Sequence, residues 1–176
     1  MRCKTCKTIF IPKNFNQKNC FENIECIKAE IDVKKKAKVK SWSKEKKIRK
    51  DRLKTKGDYL KEVQTVFNKF IRLRDFKQLC ISCSKEAKKK NAGHYRSVGS
   101  CPELRFEELN VHLQCEYCNT YLHANLINYR INLILKIGVN NIKWLEGNHK
   151  PKRYTVEQLM ELKEYYKKKI KGLEAL

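Results

Sequence analysis

Cys80-Ile81-Ser82-Cys83 and Cys115-Glu116-Tyr117-Cys118 decide how this chain folds. Two residues between paired cysteines let both thiolates reach one ion from a tight turn, and two such knuckles close a tetrahedral zinc site. With 31 residues between the pairs, Cys80, Cys83, Cys115 and Cys118 make a strong four-thiolate candidate for Zn²⁺. Four free or buried thiols are the alternative. A third pair, Cys3 and Cys6, is followed by Cys20 and Cys26, and these four would close a second zinc site in a small finger over residues 1–28. Phe10, Pro12 and Phe15 lie between them, enough to pack around a metal but not to fold without one. The alternative is a flexible tail with incidental thiols. Cys101 is left over and reads as a buried small hydrophobe or a free thiol.

Composition supports a metal-assisted fold with a polyanionic partner. The 176 residues carry 41 Lys and Arg against 19 Asp and Glu, a formal charge of +22. Four thiolates on one Zn²⁺ add −2 per site, so two filled sites would leave the chain strongly basic, and nucleic acid is the simplest partner. Apolar residues are 41% of the chain, below the roughly 45–50% usual for globular domains, so the apolar core is expected to be small. No apolar run reaches the roughly 18 residues of a membrane span. No apolar stretch follows Met1-Arg2-Cys3-Lys4, so no leader is expected. A cytoplasmic protein with metal-binding rather than disulfide-bonded cysteines follows as the expectation.

Four segments are expected. Residues 1–28 form the finger. Residues 29–57 form a basic arm or helix, with thirteen Lys and Arg against two acids from Val33 to Lys56. Like charges three and four apart repel, which predicts a frayed or disordered arm that becomes helical on a phosphate backbone. A solvated linker is compatible with this. Residues 58–138 hold the core, entered by a helix over 58–78 with Asp58 as N-cap and Leu60, Val63, Phe67, Phe70 and Ile71 on one face. Short strands and turns are expected at Gly93-His94-Tyr95-Arg96 and over Leu104 to His112. A helix over 125–137 follows, with Ile127, Ile131, Ile134 and Leu135 on one side and Gly138 as its stop. Residues 139–176 form a basic helical segment. There Thr155-x-x-Gln158 is a capping-box pattern, and Leu159, Leu162, Tyr166, Ile170 and Leu173 make an apolar stripe.

Between the central knuckles lie His94, Asn110 and His112, and Asn119 follows Cys118 directly. Closing the zinc site draws these residues together. A neutral histidine that activates water, an amide that orients its imidazole and a divalent ion on the phosphate are what phosphodiester hydrolysis needs. A purely structural His94 is the alternative that residue types leave open.

As a set, Cys80-x-x-Cys83, Ala92-Gly93-His94-Tyr95-Arg96, Leu104-Arg105-Phe106, Asn110-Val111-His112-x-Gln114-Cys115, Cys118-Asn119, Asn125-Leu126 and Tyr129-Arg130 closely resemble the phage lambda NinG (Rap) recombination-protein family. The similarity in effect spans the chain. It implies an α+β fold: a small treble-clef, zinc-bound ββα core of the HNH (His-Me finger) type with flanking helices and an N-terminal zinc finger. It also implies a structure-specific endonuclease acting on branched DNA such as Holliday junctions and D-loops. Phage endonuclease VII is similar in its two knuckles and in the Asn after the final Cys. By this resemblance His94 is the general base, Asn110 positions the base or its loop, Asn119 is a ligand of a catalytic Mg²⁺ or Mn²⁺, and the four central cysteines hold structural Zn²⁺. The HNH pattern has a metal-binding Asp before the histidine, where this chain has Gly93; NinG sequences share that glycine. His112 and Asn125 are candidate substitutes in the metal shell. Arg105 either contacts the scissile phosphate or is a surface charge. His123 has no counterpart in the pattern, and His149 reads as structural. Junction-cutting enzymes are usually dimers, so a homodimer is possible under this resemblance. A non-catalytic zinc-finger DNA-binding accessory protein and an HNH nickase on linear duplex are the competing readings.

Overall fold

A computed structural model describes residues 1–175 of the chain. They form two compact units, Met1–Lys54 and a second beginning at Thr55. No helix among the described residues is long and apolar enough to cross a membrane.

The first unit is the finger and one long helix, α1 (Ile24–Arg52). The helix begins inside the finger rather than after it. Asn23 caps it by accepting the Cys26 N–H at 2.9 Å, which places Cys26 in the first turn beside the other cysteines. One turn on, buried Glu30 accepts the backbone N–H groups of Lys18 and Asn19 at 3.1 and 3.0 Å. Only Cys26 and Glu30 of α1 are buried. The basic stretch expected as a frayed arm is thus a continuous helix anchored at its N-terminus, its remaining charges in water.

The second unit is α+β, with four helices around a two-stranded antiparallel sheet. Helix α2 (Lys56–Arg74) starts two residues before the expected position. Thr55, not Asp58, is its N-cap: the Thr55 hydroxyl accepts the Asp58 N–H at 3.3 Å, and the Asp58 carboxylate accepts the Thr55 N–H at 2.9 Å. Asp58 is therefore the third residue of a capping box, and Gly57 is tolerated inside the first turn. Val63, Phe67, Phe70 and Ile71 bury the expected stripe, against Leu159, Tyr166 and Ile170 of α5 (Val156–Glu174). Phe67 meets Tyr166 edge-on at 4.9 Å, and the Tyr166 hydroxyl donates to the Phe106 carbonyl at 3.1 Å. The capping box expected at Thr155 and Gln158 is present with both bonds.

Strand β1 (Lys90–His94) pairs with β2 (Val111–Cys115), in a register that sets Gly93 opposite His112 and His94 opposite Val111. The second strand overlaps the expected segment at Val111 and His112 and runs on to Cys115, and the segment also holds turns as expected: residues 102–104 and 108–110 form single 3₁₀ turns. Pro102 opens the first, and the Glu107 side chain accepts the Leu109 N–H at 3.3 Å in the second.

Helix α3 (Leu126–Ile137) ends at Gly138, whose φ of 84° suits glycine. Its buried side is Tyr129 and Leu133, not the isoleucine row expected from spacing: Ile127 is 80% and Leu135 81% exposed. The Tyr129 hydroxyl donates to the Gly93 carbonyl at 3.0 Å, which turns that side of α3 toward the sheet. A further helix, α4 (Val139–Glu146), contributes Ile142 and Leu145 to the same small core as Ile81, Cys101 and Leu104. Cys101 is buried there and accepts from the Arg96 guanidinium at 3.1 and 3.2 Å.

Candidate active site and metal clusters

Two groups of four thiols converge: Cys3, Cys6, Cys20 and Cys26 in the first unit, and Cys80, Cys83, Cys115 and Cys118 in the second. Within each group all sulfurs lie within 4.8 Å of one another. A tetrahedron with Zn–S bonds of about 2.3 Å has edges of about 3.8 Å. Cys3–Cys26 is 3.6 Å, Cys6–Cys20 is 3.4 Å and Cys83–Cys115 is 3.8 Å. Both clusters therefore fit zinc. The turns are built alike. Lys7 and Ser84, each following the second cysteine of a knuckle, take φ of 65° and 54°, and their N–H groups donate to the carbonyls of Cys3 and Cys80. Backbone N–H groups also point at sulfur, from Cys20 to Cys3 and from Cys115 to Cys80, each at 3.3 Å. Burial and the neighbouring thiols push Cys26 and Cys118 up to about 12. Four thiolates gathered this closely need a cation to ionise together.

The hairpin carries His94 at the end of β1. Its Nε2–H donates to the Arg105 carbonyl at 2.9 Å, which leaves Nδ1 as the free acceptor. Burial holds His94 below the ordinary histidine value, against the opposing pull of that carbonyl. The imidazole is thus neutral at neutral pH, with one nitrogen able to take a proton. Asn110, fully buried, clasps the turn that follows. Its Oδ1 accepts the Arg96 N–H at 2.7 Å, and its Nδ2 donates to the carbonyls of Arg96 and Leu104 at 3.0 and 3.1 Å.

Of the other candidates, only Arg105 is hydrogen-bonded to His94 among the described residues. His112 sits next to Val111 and so faces the opposite side of the sheet. Both its ring nitrogens are engaged: Nδ1 accepts from Arg74 at 3.1 Å and Nε2–H donates to the Leu109 carbonyl at 3.0 Å. It belongs to a buried ion cluster. There Asp75 accepts two bonds from Arg74 and one from the Leu113 N–H. Burial alone would raise the Asp75 carboxyl, but His112, Arg74 and Lys136 hold it well below the usual carboxylate range. Asn125 donates to Cys118 Sγ at 3.8 Å, and its Oδ1 accepts from Asn128. Asn119 is half-buried. Arg105 serves His94 through its carbonyl, while its buried Nε has no hydrogen bond. His149 packs edge-on against Trp144 at 4.8 Å.

Gly93 has a packing reason. A Cβ there would come 2.1 Å from Gln114 Oε1 and 3.0 Å from Gln114 Cβ. Gln114 cannot swing away: it is fully buried, and its Nε2 donates to Ser82 Oγ at 2.6 Å and to the Ala124 carbonyl at 2.5 Å. Gly93→Asp, which would rebuild the HNH carboxylate, is therefore expected to destabilise the protein by about 1–3 kcal/mol through overpacking. Adding Gln114→Ala should cost less than the two single changes summed, because the mutations share one volume. Denaturant melts of the three variants check this, and additive losses would refute it.

The structure also gathers around His94 residues to which the sequence assigned no role. His94 lines a groove of about 560 Å³ with Tyr95, Arg96, Ser97, Ser100, His123 and Arg130 among its walls. Arg130 is braced by two bonds to Glu146, at 2.7 and 3.1 Å. His123, Ala124 and Asn125 all adopt positive φ, of 45°, 70° and 45°. Such backbone costs about 1–3 kcal/mol per non-glycine residue and persists only where its surroundings over-determine it. The bonds from Gln114 and Ser82 to the Ala124 carbonyl do so here. Lacking glycine, the 123–125 segment gave no signal of this turn. Arginines and hydroxyls share the groove walls with Ala124, Leu126 and Ile127, and the Glu146 carboxylate reaches them as the partner of Arg130 and the Tyr95 hydroxyl; guanidinium and hydroxyl donors of this kind can take a phosphate.

The family model for the Bacteriophage Lambda NinG protein matches residues 1–175. Among curated proteins, Protein ninG of Escherichia phage 933W is 42% identical over 128 residues, covering 72% of this chain and 64% of that protein. The Protein ninG sequences of Escherichia phage lambda and Salmonella phage P22 are each 41% identical over 128 residues, covering 72% of this chain and 63% of theirs. The match thus spans a little under two thirds of these relatives. No solved structure matches the chain.

Proposed function

This chain belongs to the NinG family, and from that premise we propose that it is a structure-specific, metal-dependent endonuclease hydrolysing phosphodiesters in branched DNA. The observation that supports this best is His94: neutral, tethered through Nε2–H, with Nδ1 free, on the wall of a cationic groove. In this reading Nδ1 takes a proton from the attacking water. Arg96 and Arg130 stand beside the phosphate as donors, Arg130 sharing its charge with Glu146. Asn110 fixes the turn that follows the base. The finger and α1 supply phosphate contacts that give affinity without reading sequence.

The metal dependence is carried by the resemblance. Mg²⁺ is usually held by one or two carboxylates together with substrate phosphate. No groove wall is itself a carboxylate: Glu146 reaches the groove only as the partner of Arg130 and the Tyr95 hydroxyl, and Gln114 fills the space a carboxylate at Gly93 would need. The residues present do not by themselves fit a resident Mg²⁺.

Cleavage of a labelled four-way junction beside its matched linear duplex, with added Mg²⁺ or Mn²⁺, tests the proposal. Junction-selective cutting is the expected result. Equal cutting of both would favour the linear-duplex nickase. Binding without cutting under either ion would favour the non-catalytic accessory protein.

A further inference from the structure

The finger exposes three apolar side chains that nothing among the described residues of its own unit covers. Ile9 is 76%, Ile11 93% and Phe15 96% exposed. Single exposed apolar residues are ordinary, but these three fall within seven residues on a pinned backbone. Phe10 between them is buried against Cys3, Cys20 and Cys26. The Met1 ammonium donates to the Phe10 carbonyl at 3.0 Å, and the Phe10 N–H donates to the Met1 carbonyl at 2.8 Å. Further along, the Lys13 N–H donates to Gln17 Oε1 at 2.7 Å, and buried Gln17 donates to the Asn19 carbonyl at 2.7 Å. A tip held this way loses little conformational freedom when it meets a partner.

The partner's charge is set by the surroundings. The first unit carries eighteen Lys and Arg against six Asp and Glu, a net +12 in 54 residues, with Lys13 in the tip segment itself and Lys7 two residues before it. A phenyl ring and two branched aliphatic chains among lysines match nucleotides whose bases have left the stack: flat apolar faces edged by phosphates. Duplex hides those faces, and a branch point loosens them.

We propose that Ile9, Ile11 and Phe15 form a wedge that packs against unstacked bases at a DNA branch point, so that the finger supplies the preference for branched over linear DNA. The proposal rests on the DNA-binding part of the function proposed above and deepens it. The test is the affinity of the zinc-loaded 176-residue chain for a four-way junction and its matched duplex, without added Mg²⁺, for wild type, Phe15→Ser and Ile11→Ser. Both side chains are in water, so the fold is retained, and zinc content per chain checks this. Loss of a base–aromatic contact should weaken junction binding by about tenfold or more and leave duplex binding unchanged. Lys13→Ala should weaken both. An unchanged junction affinity, or an equal loss on both DNAs, would overturn the wedge and leave an acidic protein surface as the tip's partner. Wild type binding neither DNA would defeat the nucleic-acid reading itself, and the wedge with it.

Discussion

Replacing Cys80 and Cys118 by serine is expected to halve the zinc content, from two ions per chain to one, and to unfold the hairpin and α3. The second unit has two small apolar clusters, and the four-cysteine cluster that fits zinc lies between the Cys80 turn and the end of β2. Structural zinc in small fingers is worth about 10–16 kcal/mol, against a whole-domain stability of about 5–15 kcal/mol. Losing the ion therefore exceeds the margin for any part of the fold that depends on it. β2 runs directly into Cys115, and the strained 123–125 turn is tied to Ser82 inside the first knuckle, so that part includes the groove. The helix pair α2–α5 has its own aromatic core and should keep part of its helical signal. Zinc stoichiometry with far-UV and near-UV circular dichroism reads the outcome. A double mutant that melts like wild type would show that the cluster is four incidental thiols.

His94→Ala is expected to lower the cleavage rate by about 10²- to 10⁴-fold, the usual contribution of a positioned general base, with junction affinity and zinc content unchanged. The pH profile gives a second sign. A protonated imidazole cannot accept the water's proton, so the rate falls as pH drops through the His94 pKa. Burial lowers that value, so the neutral base persists to lower pH than an ordinary histidine, and the acid limb should lie below about 6.5. A limb above that value would point to a different base.

Much of this was legible because its causes are local. C-x-x-C spacing forces thiolates together whatever surrounds them, and both four-cysteine groups were named from spacing alone. The capping box at Thr155 and the apolar face of α2 also depend on residues three and four apart. Misread or unread features depend on distant partners. Asp58 after Gly57 mimics an N-cap, and only Thr55 outcompetes it. The isoleucines of α3 outnumber the residues that its sheet contact buries. That Gly93 is held open for Gln114 is visible only once the strand register is known. The groove likewise joins His94 to Arg130 and His123 across the fold, and no spacing rule links them.

The most direct measurement is single-turnover cleavage of a labelled four-way junction with Mg²⁺, by wild type and His94→Ala at matched zinc content and matched binding. Wild type is expected to cut, and the variant to lose nearly all cutting. Equal cutting by both proteins, or binding without cutting by wild type, would contradict the assignment of His94 as the base of a DNA endonuclease.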